Sequence, residues 1–301
     1  MIMKTMQTLW VLLLFAALSL VGCGQNNDET ATNQQSNSWG KELYFSVIPI
    51  ESDARTRERY ARFISYLEQQ LDSTIHLVMP KDYADVINGL KEKKIDFALL
   101  GPKSYVEASK HANVMTAVRV IGEDGQDGYK GLIITKKGSG LKKLADLQGK
   151  TFAFTDPNST SGNLIPSVYF AAQAQIDPET FFSKVIFSGK HQKSILMVKN
   201  GEIDAAATNN VDVERDSGRG WHQDDFNIIW ESQLIPHDML AYRQDLPEAF
   251  KQALISASVA YDDAQGLKDM AISKFIPSKD EDYVFVRQLN DFKEKLQQQN
   301  P

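Results

Sequence analysis

The sequence predicts an α/β protein of two lobes, with the chain crossing between them twice. Two observations predict this. From Glu42 onward, short β-rich runs alternate with amphipathic helical stretches, the pattern of βαβ units and a mostly parallel sheet. One such unit also returns further along the chain. Set beside KHQKSILMVKNGEIDAAATN (190–209), the stretch DYADVINGLKEKKIDFALLG (82–101) pairs Ile87 with Ile195, Leu90 with Val198, Lys91 with Lys199, Ile95-Asp96 with Ile203-Asp204 and Ala98 with Ala206. The same offset pairs Tyr83 with His191, each at the start of its helix. Either two βα units coincide by chance, or there are two similar lobes, each offering a polar residue from the same place.

The elements follow in order. ELYFSVIPI (42–50) is a strand ended by a turn. In ARTRERYARFISYLEQQL, Tyr60, Phe63, Ile64, Leu67 and Leu71 fall on one stripe, so the stretch is an amphipathic helix. TIHLVM is a strand. DYADVINGLKEK is a helix with Tyr83, Val86, Ile87 and Leu90 on one face and Asp82 as its N-cap. IDFALLG is a buried strand, SYVEASKH a helix and VMTAVRVI a strand. EDGQDGYKGLIITKKGSG reads as an acidic turn, a strand and a glycine-containing break. The turn lacks the D-x-D-x-D-G spacing of a calcium loop. LKKLADLQGKTFAFT starts the pattern again with a short helix and a strand. Strands resume in NIIWESQLIPHDMLAYRQDL, and PEAFKQALISASVAYDD and DEDYVFVRQLNDFKEKLQQQ are terminal helices. The chain is expected to return to its first lobe near Leu234. That gives lobe 1 as 41–135 and 235–301, lobe 2 as 136–234, and a hinge of two segments.

Ahead of the folded part, Lys4 is the only charge before Cys23. The apolar run LWVLLLFAALSL (9–20) falls short of the about 20 residues that span a bilayer and fits a signal peptide. LVGC (20–23) resembles the lipobox of bacterial lipoproteins, which is cut before the cysteine so that the thiol carries lipid. A retained membrane helix is the competing reading. The expectation is a lipoprotein signal peptide over 1–22, lipidation at Cys23, a flexible polar tether over 23–40, and a protein anchored by lipid in the cell envelope outside the cytoplasm.

Composition narrows the function. A formal net charge of −6 with no basic block gives no support to nucleic-acid binding. A single cysteine rules out an internal disulfide. His76, His111, His191, His222 and His237 show no metal-ligand spacing, and neither G-x-S-x-G nor H-E-x-x-H occurs, so no metal, cofactor or enzymatic activity is expected. The informative stretch is TDPNSTSGNLIPSVYF (155–170), which places Ser159, Thr160, Ser161 and Gly162 immediately before a helix. Those residues suit a capped helix. They equally suit an anion cradle, in which N–H groups at a helix start and neighbouring hydroxyls hold negative charge without a permanent cation. The glycine would let the backbone come close.

DPNSTSGNLIP, DYADVINGLKEKKIDFALLGPKSY, GKHQKSILMV, IDAAATNN and SQLIPHD together resemble the phosphonate-binding subunit of bacterial ABC importers, a family that includes phosphite and methylphosphonate receptors. The resemblance covers essentially 42–298. It implies the type II periplasmic-binding-protein fold, two α/β lobes closing on a ligand. It also implies a monomer that delivers a small phosphonate or phosphite to ABC permease subunits. By this resemblance Ser159, Thr160 and Ser161 hold the phosphonate oxygens, and Tyr83 and His191 contact the same headgroup. Asp212 and Asp238 lie on the other side, where receptors for 2-aminoethylphosphonate meet the amine. The sequence departs from the family twice: Asp212 stands in place of a longer glutamate, and Leu100 in place of a tyrosine that some members set beside the ligand. Two other functions fit the residues, a sensor signalling to a membrane partner and a hydrolase using Ser159 or Ser161 with His191.

Overall fold

The structure is a computed structural model that describes residues 39–215 and 220–299. The stretch expected to be a signal peptide, Cys23 and all but the last two residues of the expected tether lie outside the described residues.

The chain opens with strand β1 (Glu42–Val47), helix α1 (Asp53–Leu71), β2 (Thr74–Val78), α2 (Tyr83–Lys91), β3 (Phe97–Leu100), α3 (Pro102–His111) and β4 (Val114–Gly122). The stripe on α1 is why it packs: Tyr60, Phe63, Leu67 and Leu71 are buried against β1 and β3. Asp82 caps α2, its carboxylate accepting from Asp85 N at 2.9 Å. After β4 come β5 (Tyr129–Lys136) and β6 (Thr151–Phe154). A helix over 160–174 follows, with α4 (Ile165–Val168) as its middle and wider π turns on both sides. Then come α5 (Pro178–Phe181), β7 (Lys184–Phe187), α6 (His191–Asn200), β8 (Ala205–Asn209), α7 (Asn210–Glu214), β9 (Phe226–Ile235) and β10 (Met239–Arg243). The chain continues through α8 (Glu248–Ala260), α9 (Ala264–Met270), β11 (Ile272–Pro277) and α10 (Val284–Gln299).

The strands form two sheets, ordered β11-β4-β10-β3-β1-β2 and β7-β6-β8-β5-β9. Both follow one plan. Three parallel strands (β2-β1-β3 and β7-β6-β8) are followed by an antiparallel strand that comes from beyond a crossing, β10 in one and β5 in the other. The helices α2 and α6 occupy equivalent places, each leading into the third strand. The internal similarity of the sequence is therefore a structural one. Both third strands are buried along their whole length, which explains their small and apolar residues.

Strand β5 corrects the expected lobe boundary. It pairs with β8 and β9, so the first crossing lies at 123–128 and not at 135. The second crossing lies at 236–238. Helix α9 and edge strand β11, which carried no clear periodic signal, complete the first sheet beside β4. The lobes touch across the cleft. Lys103 N donates to Thr160 Oγ1 at 2.9 Å and Ser104 Oγ to the Asn158 carbonyl at 3.0 Å. Lys293 Nζ, on α10, donates to Asn163 Oδ1 at 2.9 Å.

Candidate ligand site between the lobes

The helix over 160–174 begins at the cleft. Ser159 is its N-cap, with Oγ accepting from Gly162 N at 3.0 Å. The first turn is wide: Leu164 N reaches back five residues to the Ser159 carbonyl at 3.0 Å. Thr160 and Ser161, at the head of this turn, line a cavity of about 80 Å³, room for several waters or one compact ligand. Ser159 caps the helix, and it and its two neighbours line the cavity. Gly162 acts otherwise than the sequence suggests. A Cβ there would lie 2.3 Å from Thr155 Cβ, and Thr155 N donates to the Gly162 carbonyl at 2.9 Å. The glycine lets the helix start press on the end of β6, not on a ligand.

Tyr83 and His191, the first residues of α2 and α6, meet at this cavity from opposite lobes. The Tyr83 hydroxyl is buried with no hydrogen-bond partner among the described residues. Burial, and then Asp156, push its pKa well above the ordinary phenol value, so it remains a donor. His191 Nε2 lies 3.3 Å from Ser159 Oγ, and Nδ1 lies 3.0 Å from Thr208 Oγ1 and 3.5 Å from Asn209 Nδ2. Burial pushes its pKa below the usual value against the pull of Asp212, so the ring is neutral at pH 7 rather than the imidazolium that would have added charge. Because Asn209 Nδ2 only donates, Nδ1 is the natural acceptor, which leaves Nε2–H directed at Ser159 and the cavity.

Asp212 and Asp238 line the same cavity, so all seven residues singled out from the sequence are brought together. Asp212 is buried in the first turn of α7, not a surface residue. Its backbone N donates to Asn209 Oδ1 and its Oδ2 accepts from Asn209 Nδ2, each at 2.8 Å. Asp238 sits on the second crossing. Burial first, and then the Asp212 carboxylate, push its carboxyl up to about 7. A Cβ on Gly101 would be 3.7 Å from both Asp238 Oδ1 and Thr160 Oγ1, so Gly101 leaves open the space between these two groups.

Sequence reasoning missed Arg59, Tyr129, Asn209 and Arg215, which also line the cavity. Burial and then Asp238 push the Tyr129 phenol well above its ordinary value, with the Thr160 and Ser161 side chains acting against that shift, so Tyr129 remains a donor. Its place in GYKG, an aromatic between two glycines, was a usable signal. Arg59 gave none, since an arginine on an amphipathic helix reads as a solvated side chain. Leu100 does not replace a ligand-facing residue here. It packs in the core with Tyr83 and Ile87, and its neighbours Leu99 and Gly101 line the cavity instead.

The model of a family described as the periplasmic substrate-binding protein of phosphonate ABC transporters matches residues 45–283. The chain belongs to this family. The phosphonates-binding periplasmic protein of Escherichia coli is 30% identical over 263 residues, covering 84% of this chain and 77% of that protein. The phosphate-import protein PhnD of Mycolicibacterium smegmatis is 26% identical over 75% of this chain and 74% of that protein. A binding-protein component of a phosphonate ABC transporter from Pseudomonas aeruginosa has a TM-score of 0.81 at 29% identity, with 87% and 89% of the two chains covered. The two α/β lobes are those of the periplasmic-binding-protein fold. The protein is a transporter's substrate-binding component and not an enzyme. No helix among the described residues is long and apolar enough to cross a membrane.

Proposed function

We propose that this protein captures a phosphonate between its lobes, favouring 2-aminoethylphosphonate, and presents the closed complex to ABC permease subunits as a monomer. The observation that carries this is Tyr83, whose buried hydroxyl has no partner among the described residues and which lines the same cavity as the Ser159–Thr160–Ser161 helix start. A buried donor without an acceptor costs roughly 1–3 kcal/mol, which a phosphonate oxygen would recover. Tyr83, His191 and the three hydroxyl residues would hold the oxygens, with neutral dipoles carrying the charge. Asp212 and Asp238 would face a ligand ammonium, which would draw the Asp238 carboxyl to its ionised form.

Calorimetry with phosphite, methylphosphonate, 2-aminoethylphosphonate and phosphate tests this. Micromolar or tighter binding of 2-aminoethylphosphonate is expected, with Asp238→Asn weakening it far more than methylphosphonate. No heat with any of the four removes the proposal, and equal losses in the variant dismiss the ammonium contact.

A lipid anchor at Cys23 would hold the receptor beside its permease, supported by the lipobox-like LVGC and the polar stretch after it. Cys23→Ser should shift the protein from the membrane to the soluble fraction; retention on membranes would refute the anchor.

A further inference from the structure

The cavity has a second polar end that a phosphonate headgroup does not use. Arg59, on α1, is only 5% exposed. Its Nε donates to Glu51 Oε1 at 2.7 Å, while its Nη2 is buried without a partner among the described residues. Arg215, just after α7, donates from Nη2 to the Met270 carbonyl at 3.3 Å. Its Nη1 forms an ion pair with Asp212 Oδ1 at 3.7 Å, beyond hydrogen-bonding distance, and both Nη1 and Nε are buried without a hydrogen-bond partner among the described residues. The two arginines line the closed cavity and also a wider space of about 560 Å³ beside it. None of Tyr83, Ser159, Thr160, Ser161 or His191 borders that wider space. The two arginines therefore stand between the hydroxyl-lined cavity and the wider space.

Unmet donors on buried cations are costly, and more so for charged groups than neutral ones. Two arginines carrying such donors in one cavity point to an acceptor that arrives with the ligand. The planar guanidinium fork matches a carboxylate. A bare carboxylate would also meet Asp212, Asp238 and Glu51. A tail carrying an ammonium and a carboxylate together adds no net charge and gives each set of groups a counterpart. Resting on the phosphonate reading above, we infer that the preferred ligands are phosphonates with an α-amino-acid tail. The phosphonate sits at the hydroxyl end, the ammonium by Asp212 and Asp238, and the carboxylate on Arg59 and Arg215.

The test compares 2-amino-3-phosphonopropionate with 2-aminoethylphosphonate, which lacks only the carboxylate, by calorimetry on the folded protein. The carboxylated ligand should bind about tenfold more tightly or better. Arg215→Gln should bring the ratio of the two affinities close to one. Arg59→Gln should do the same; if loss of its ion pair with Glu51 prevents folding, Arg215→Gln still reports. Equal or weaker binding of the carboxylated ligand overturns the inference and leaves the phosphonate reading standing, as does a preference that survives in Arg215→Gln. Failure of every phosphonate to bind removes both.

Discussion

Asp238 is half-buried at the cavity, and desolvation first and the Asp212 carboxylate second raise its carboxyl to about 7. The folded state therefore holds a proton that the unfolded chain releases near pH 4. The sign follows from linkage. The stability tied to this proton is fully present below the unfolded value and is lost as pH rises through about 7, on the order of 4 kcal/mol in full. Unliganded wild-type protein should lose stability relative to Asp238→Asn between pH 5 and pH 8 in denaturant unfolding. A constant difference across that range would mean that Asp238 is ionised throughout. The comparison must be between the two proteins, because His237, lowered to about 4 mainly by burial, drives the opposite trend in both.

At the scale of elements, the helix start and the strand before it are fitted to each other. The wide first turn of the 160–174 helix brings Gly162 against Thr155 closely enough that a methyl group would lie 2.3 Å from Thr155 Cβ and 2.8 Å from Ser159 Oγ. Neither neighbour is the free end of a flexible side chain. Gly162→Ala should lower stability by roughly 1–3 kcal/mol, read as a fall in melting temperature. It should also weaken ligand binding, because the turn that carries Thr160 and Ser161 must move. A variant with wild-type melting and binding would show that the turn tolerates displacement.

For the whole molecule, the site exists only while the lobes meet. Ser104 Oγ reaches the Asn158 carbonyl from the other lobe, and Lys103 N reaches Thr160 Oγ1, so a cavity-lining hydroxyl is itself part of the contact between lobes. Removing one such bond should shift the open–closed balance without touching the cavity lining. Ser104→Ala should weaken binding about fivefold, for a bond of about 1 kcal/mol, and raise the unliganded radius of gyration in small-angle scattering. Unchanged affinity would place the closing energy elsewhere, for instance in the α10 contact through Lys293.

The sequence by itself determined the alternation of strands and helices, the duplication that pairs Tyr83 with His191, and the hydroxyl-rich helix start. Each is written in local periodicity, capping chemistry or a direct match of residues. It did not determine the side to which β5 belongs, because a buried strand reads alike in either sheet and only its pairing with β8 and β9 decides. Nor did it reveal Arg59, Tyr129 or Arg215 as cavity residues. Their roles depend on which faces meet when the lobes close, and that is fixed by packing between segments far apart in the chain. Tertiary structure likewise decided the charge states, since burial keeps His191 neutral and raises Asp238.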